Sequence, residues 1–262
     1  MRAWWLLTRT VYRAQLEYRA NLLLSVLGGI LYQTTSLAVI GVILARFGSV
    51  GGWGLPEMAF LYGLRLTAHG LFMVALPLSD TDTMVRSGEF DRFLVRPAGL
   101  FAQSVTRRAP IVAFGDLIGG VTILVVAAAN APVRWTVLSV VYLGLAVVGG
   151  ALLEGAFQVA AAGLAFRMLS TMHVRLLVDA VFGTFGNYPL RIFGAGVRFT
   201  LTFLFPLAFL AYLPASVLLD RTGELSVPGW LALLAPAVGA LLFGAAYLFW
   251  HGQIRHYSSS GN

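Results

Sequence analysis

Residues Thr136 to Phe166 read TVLSVVYLGLAVVGGALLEGAFQVAAAGLAF, an apolar run broken in its interior by Glu154 and Gln158. A helix crosses the hydrocarbon core of a bilayer in roughly 20 residues at 1.5 Å each, so this stretch is long enough to span one. The whole chain is 58% apolar and 11% charged, whereas a soluble domain averages about 25% charged. The composition therefore predicts an all-α, polytopic membrane protein.

Further apolar runs lie on both sides. Asn21 to Ala45 forms a first span, followed by the turn GSVGGWGLPE at 48–57, and a second span covers about Met58 to Ser79. A third covers about Ile111 to Ala129, and a last one Trp230 to Trp250. Residues 1–19 place Trp4, Leu7, Val11, Ala14 and Tyr18 on one helical face and Arg2, Arg9, Arg13 and Glu17 on the other, which predicts an amphipathic helix at the interface with no cleaved leader. From His173 to Asp220 three prolines, Pro189, Pro206 and Pro214, interrupt the pattern and leave two readings. The fifth crossing is either Met172 to Pro189, with re-entrant helices over Ile192 to Leu219, or Phe199 to Leu219 with 176–190 along the inner surface.

Arginine placement predicts orientation. With the N-terminus inside, Arg2, Arg9, Arg13, Arg19, Arg86, Arg92, Arg96, Arg107, Arg108, Arg167, Arg175 and Arg255 are cytoplasmic, 12 of the 18 basic residues. Returning an arginine-bearing C-terminus to the cytoplasm takes an even number of crossings, so six are expected. The resulting single transmembrane domain has an interfacial helix (1–19), spans 1–2 (20–79), a cytoplasmic segment (80–108) and spans 3–4 (109–166). The region 172–219 that holds the fifth crossing, where Arg191 and Arg198 favour the second reading, span 6 (229–250) and a cytoplasmic tail (251–262) complete it.

The chain contains no lysine and no cysteine. A Walker A loop needs its lysine, and thiol catalysis and thiolate metal sites need cysteine, so those chemistries are excluded here. No cofactor, metal site or nucleic-acid partner is expected.

The cytoplasmic segment holds Met84 to Pro97, MVRSGEFDRFLVRP. Ser79 or Asp80 can cap a short helix carrying Asp82 in its first turn, and Gly88 is placed to end it near Arg86. A second turn, Glu89 to Val95, stops before Pro97. It would expose Glu89, Asp91, Arg92 and Arg96 while Phe90, Phe93 and Leu94 pin it down, giving a rigid charged knob suited to a groove on a soluble partner. The plainer alternative is a solvated loop with surface ion pairs, each worth about 0 to 1 kcal/mol.

Polar groups inside spans are the other candidates, because a charge at a span centre costs about 2.5 to 3.5 kcal/mol on the lenient scale. Arg65 and His69 share a face of the second span, roughly 10 and 16 Å from its outer end, and could line a path for an anionic or polar headgroup. Glu154 and Asp116, nearer the inner side, are expected to be structural, with cytoplasmic arginines as partners. Gly115 and Gly119 form a GxxxG pattern that permits close helix approach.

Two patterns resemble the six-span permeases of the ABC-2 exporter type. One is Gly88, Glu89, Phe90, Asp91, Leu94, Arg96 and Pro97, with Phe90 where the family has leucine. The other is Tyr188-Pro189-Leu190 followed by Pro206, Phe209, Tyr212, Pro214-Ala215 and Leu218-Leu219. The resemblance, closest to a branch with two unlike permeases, implies a permease domain with span 5 at Met172 to Pro189 followed by re-entrant outer helices, and a transmembrane subunit that works with a second six-span permease and two cytosolic ATPase subunits. ATP and Mg²⁺ would bind those partners, in a bacterial plasma membrane. It implies that Asp80, Asp82, Arg86, Gly88, Glu89, Phe90, Asp91, Arg92, Leu94, Arg96 and Pro97 couple to the ATPase. It adds Tyr188, Pro206, Phe209 and Tyr212 to Arg65 and His69 as candidates for the substrate path, for a drug-like, lipid-like or other amphipathic compound. An ion-coupled carrier, which would use His69, and a lipid-modifying enzyme, which would use Asp80 and Asp82 to hold Mg²⁺, are the alternatives.

Overall fold

The computed structural model describes residues 19–78, 81–107, 111–168 and 170–258. The expected interfacial helix, except for Arg19, and Asp80 lie outside the described residues. Apolar runs become long helices: α1 (Arg19–Phe47), α2 (Leu55–Ala75), then short α3 (Thr81–Arg86), α4 (Asp91–Leu94) and α5 (Leu100–Val105). These are followed by α6 (Ile111–Asn130), α7 (Val137–Leu164), α8 (Met172–Phe185), α9 (Ala195–Phe199), α10 (Tyr212–Leu218), α11 (Gly229–Leu233) and α12 (Ala235–Ile254). Among the described residues five helices are long and apolar enough to span a membrane, within α1, α2, α6, α7 and α12, or six if the bent pair Ala195–Leu204 and Leu207–Leu218 is one span. The protein is an all-α, multi-pass membrane protein.

Local signals account for the helix starts. Pro56 occupies the first turn of α2, where its missing N–H costs nothing, and the Glu57 carboxylate accepts the Gly54 N–H at 2.7 Å. Thr136 caps α7 by accepting the Ser139 N–H at 3.1 Å, while Ser139 Oγ accepts the Thr136 N–H at 2.8 Å. The last span differs from its expected bounds. It breaks at Leu234 because Pro236 starts a new helix, and α12 then continues past Trp250 to Ile254.

Tertiary packing is set by glycine. A Cβ on Gly63 would lie 2.6 Å from the Leu124 nitrogen, and one on Gly70 would lie 2.5 Å from that of Leu117. From the other side, a Cβ on Gly120 would lie 2.6 Å from the Thr67 nitrogen. The backbones of α2 and α6 are thus in direct contact, a spacing only glycine permits. Of the predicted GxxxG pair, Gly115 meets Gly29 of α1 and Gly119 faces Gln33. Gly149 and Gly239 join α7 to α12 in the same way. Helix α2 is central and mostly buried, whereas α1 remains largely uncovered.

At one end of the bundle Arg221 bridges Glu57 (2.7 Å) and Glu224 (3.0 Å), and Arg191 also reaches Glu224 (2.8 Å). Trp53 is buried beside them, with Tyr212 and the Arg221 guanidinium against its rings. Helix α8 starts near the opposite end, where α7 finishes, and by Ile192 the chain packs on Gly51 at the arginine-network end. The next segment is no single straight helix. Ala195–Leu204, whose second half winds as a π-helix, and Leu207–Leu218 meet at 74° around Phe205-Pro206. The Leu210 carbonyl abuts Gly150, halfway along α7, and Asp220 returns to within 3.8 Å of Arg134.

Candidate functional site

The knob is built as a charged tip on an aromatic base. Helix α3 ends at Arg86, and Gly88 turns the chain with φ of 69°, a left-handed conformation that favours glycine. Phe90 is fully buried, in ring contact with Phe93, Phe166 and Tyr257, and Phe93 is buried with it. Phe166 in turn packs edge-on against Trp250, so the base rests on the adjoining ends of α7 and α12. Leu94 does not join this base: it is 49% exposed, beside Val95 at 84%. The apolar stem is therefore two phenylalanines, and Leu94 and Val95 form a tip between exposed Arg92, Arg96 and Pro97.

The knob's acids face inward. Glu89 is held by Arg107 at 2.5 Å, and Asp91 accepts the Tyr257 hydroxyl at 2.9 Å. Burial, reinforced by Asp91, pushes the Tyr257 hydroxyl up to about 12, so it remains a donor at neutral pH. Gln103 Nε2 donates to the carbonyls of Phe93 (3.2 Å) and Ala98 (2.8 Å) and closes the loop behind the tip. Asp82 is buried in the first turn of α3 and accepts the Thr83 N–H, and Arg86 stands 4.0 Å from it. Tyr257 was not legible as part of the knob, since it lies 166 positions from Asp91 in sequence, and Gln103 and Arg107, 10 and 18 positions from Phe93 and Glu89, carry no local signal of those contacts.

The second feature is a partly open polar cleft of about 550 Å³ walled by α1, α2, α6 and α8. Arg65 and His69 line it, together with Gln33, Tyr62, Asp116 and Asp179. His69 Nδ1 lies 2.6 Å from Oε1 of Glu154, which is 1% exposed. Asp116 accepts Gln33 Nε2 at 2.6 Å, and Gln33 Oε1 accepts the Tyr62 hydroxyl at 2.5 Å. Glu154 and Asp116 thus find hydrogen-bond partners within the bundle, not the cytoplasmic arginines expected, because Gly150 lets α7 approach Ala68 of α2 and Gly115 lets α6 approach Gly29 of α1. Asp179 accepts Gln158 Nε2 at 2.6 Å and is a cleft residue that its broken surroundings hid. Phe209 and Tyr212 belong to the buried core, and neither they nor the less buried Tyr188 and Pro206 line this cleft.

A family model described as ABC-2 family transporter protein matches residues 30–261, nearly the whole chain and including both the knob and the cleft. The chain belongs to the ABC-2 transporter family. No curated protein and no solved structure gives a match. An ABC-2 permease is the membrane-spanning transport subunit of an ABC transporter, a class that associates with ABC ATPase subunits and typically lacks an ATPase site of its own.

Proposed function

We propose that this ABC-2 permease exports an amphipathic compound from the bacterial cytoplasm, pairing with a second six-span permease and driven by two cytosolic ATPase subunits that bind ATP and Mg²⁺. The observation that carries the reading is the knob: an exposed tip of Arg92, Leu94, Val95 and Arg96 rigidly seated, through Phe90 and Phe93, on α7 and α12. It also stands in the chain between α2 and α6, a helix pair in direct backbone contact. Closure of the ATPase dimer against the tip would move four long helices together. The tip docks by burying Leu94 and Val95 and by placing the arginines against acids of the ATPase, while Asp82, Arg86, Gly88, Glu89, Asp91 and Pro97 shape and hold it.

In this reading the knob end and both termini are cytoplasmic and the Arg221 network is outside. The segment Met172–Pro189 makes the fifth crossing, and the bent pair after it dips into the outer leaflet and returns, with α10 packed on α2 and α7 while α9 stays exposed. The contacts of Ile192 with Gly51, of Leu210 with Gly150 and of Asp220 with Arg134 support that course. The cleft containing Arg65 and His69 is the intramembrane part of the substrate path, and the second permease closes its open side.

Mild-detergent purification from the native membrane, with mass spectrometry of stoichiometric partners, tests the assembly. Recovery of a P-loop ATPase and a second six-span chain is expected. A homogeneous chain that moves solute on an ion gradient alone would overturn the reading.

A further inference from the structure

We propose that the cleft binds the anionic headgroup of an amphiphile, with the Arg65 guanidinium as its anchor. The inference rests on the permease reading and names the class of its substrate. Arg65 is only 7% exposed, and among the described residues it makes no ion pair or hydrogen bond; its Nε is buried without an acceptor. A guanidinium has five donors in a planar fork, and burying it at span depth without partners is costly. Arg65 lies ten residues into α2, about 15 Å along it at 1.5 Å per residue, too deep for its head to reach water at the end of the helix.

The neighbouring acids do not fill this role. Glu154 is within electrostatic reach of Arg65 and keeps Oε2 buried without a hydrogen bond, but it makes neither a hydrogen bond nor an ion pair with Arg65, its partner is His69 at 2.6 Å, and it does not line the cleft. Asp116 and Asp179 line the same cleft, and each accepts a glutamine amide at 2.6 Å. On the wall nearest Arg65, where a Cβ on Gly186 would touch its Cγ at 3.6 Å, Asn187 Oδ1 is also buried without a donor. The unfilled pair is a cationic fork and a carbonyl oxygen, which an oxyanion also bearing a hydroxyl, such as a phosphate monoester, would satisfy. The cleft has room for such a head at about 550 Å³.

The same anion could come from a free phosphate or from a lipid-like molecule, and the surroundings favour the second. Two walls of the cleft, α1 and α8, carry exposed leucines, Leu27 and Leu31 on one and Leu176 and Leu177 on the other. An acyl or alkyl tail would lie against these leucines while the head entered sideways.

Equilibrium binding of labelled hexadecyl phosphate to the purified full chain, in micelles of a neutral sugar detergent, tests this. Saturable one-site binding is expected, weakened about tenfold or more in Arg65→Gln and less in Arg65→Lys. Hexadecyltrimethylammonium and inorganic phosphate should not compete. Should Arg65→Gln fail to fold, the competition series on the unaltered chain decides by itself. Equal binding of the cationic and anionic probes, or no change in a folded Arg65→Gln, would overturn the proposal; competition by inorganic phosphate at equal concentration would overturn its amphiphile part. Absence of hexadecyl phosphate binding in a chain that still carries its ATPase would sink the headgroup assignment alone. Saturable, Arg65-dependent binding to a chain without any ATPase partner would sink the assembly and keep the site.

Discussion

His69 on α2 and Glu154 on α7 meet at 2.6 Å in the interior of the bundle, 85 positions apart in sequence. Glu154 has a second oxygen buried without a partner, so its position depends on the imidazole. Breaking a buried pair by removing one member costs about 3 to 5 kcal/mol, because the remaining group stays buried and uncompensated. His69→Ala is therefore expected to lower thermal stability in detergent sharply, and Glu154→Gln, which keeps a hydrogen-bonding group, much less. Paired replacement by leucine at both positions should recover most of the loss; a double-mutant cycle reads the coupling.

The glycine seam predicts a graded series. Gly70→Ala and Gly120→Ala should each destabilise, and Gly70→Val should prevent assembly, since the added atoms meet backbone that cannot move aside. Gly144→Ala is the control: nothing lies within 4 Å of its Cβ position, and it should be neutral or slightly stabilising. Monodispersity after purification, followed by thermal unfolding, distinguishes them.

Tyr257 links the last helix to the knob through Asp91. Tyr257→Phe removes one hydrogen bond, worth about 1 kcal/mol, and preserves the ring contacts with Phe90 and Phe166. The expected result is near-normal folding with looser coupling, measured as more ATP hydrolysed per molecule transported. Because the hydroxyl is raised above its unfolded value, its contribution is complete below pH 10 and lost only as pH rises through about 12. The difference between the variant and the unaltered chain should therefore stay constant from pH 6 to 9.

Charge reversal at the tip, Arg92→Glu with Arg96→Glu, is expected to abolish co-purification of the ATPase while leaving insertion and thermal stability unchanged, since both side chains are exposed. Glu89→Arg is a poorer probe of docking, because it also sets two cations against each other where Glu89 now pairs with Arg107. Retention of the ATPase by the double variant would place docking elsewhere.

The class of fold and the span order were written in local sequence. Apolar runs such as Thr136 to Phe166 dictate helices that cross a bilayer, because unsatisfied backbone is intolerable there. Gly88 and Pro97 punctuate the knob through their own backbone limits, and the two motif patterns sufficed to suggest the family. Sequence spacing could not show that Leu94 points outward, that Glu89 and Asp91 turn inward, or that His69 finds Glu154 and Gln33 finds Asp116. The last two depend on which helix faces which, a choice made by close contacts such as Gly150 with Ala68 and Gly29 with Gly115, across positions distant in the chain. The same tertiary choice left Arg65, among the described residues, without a hydrogen bond or ion pair: a guanidinium at that depth is visible in the sequence, but that its Nε finds no acceptor depends on the neighbours that the fold sets around it.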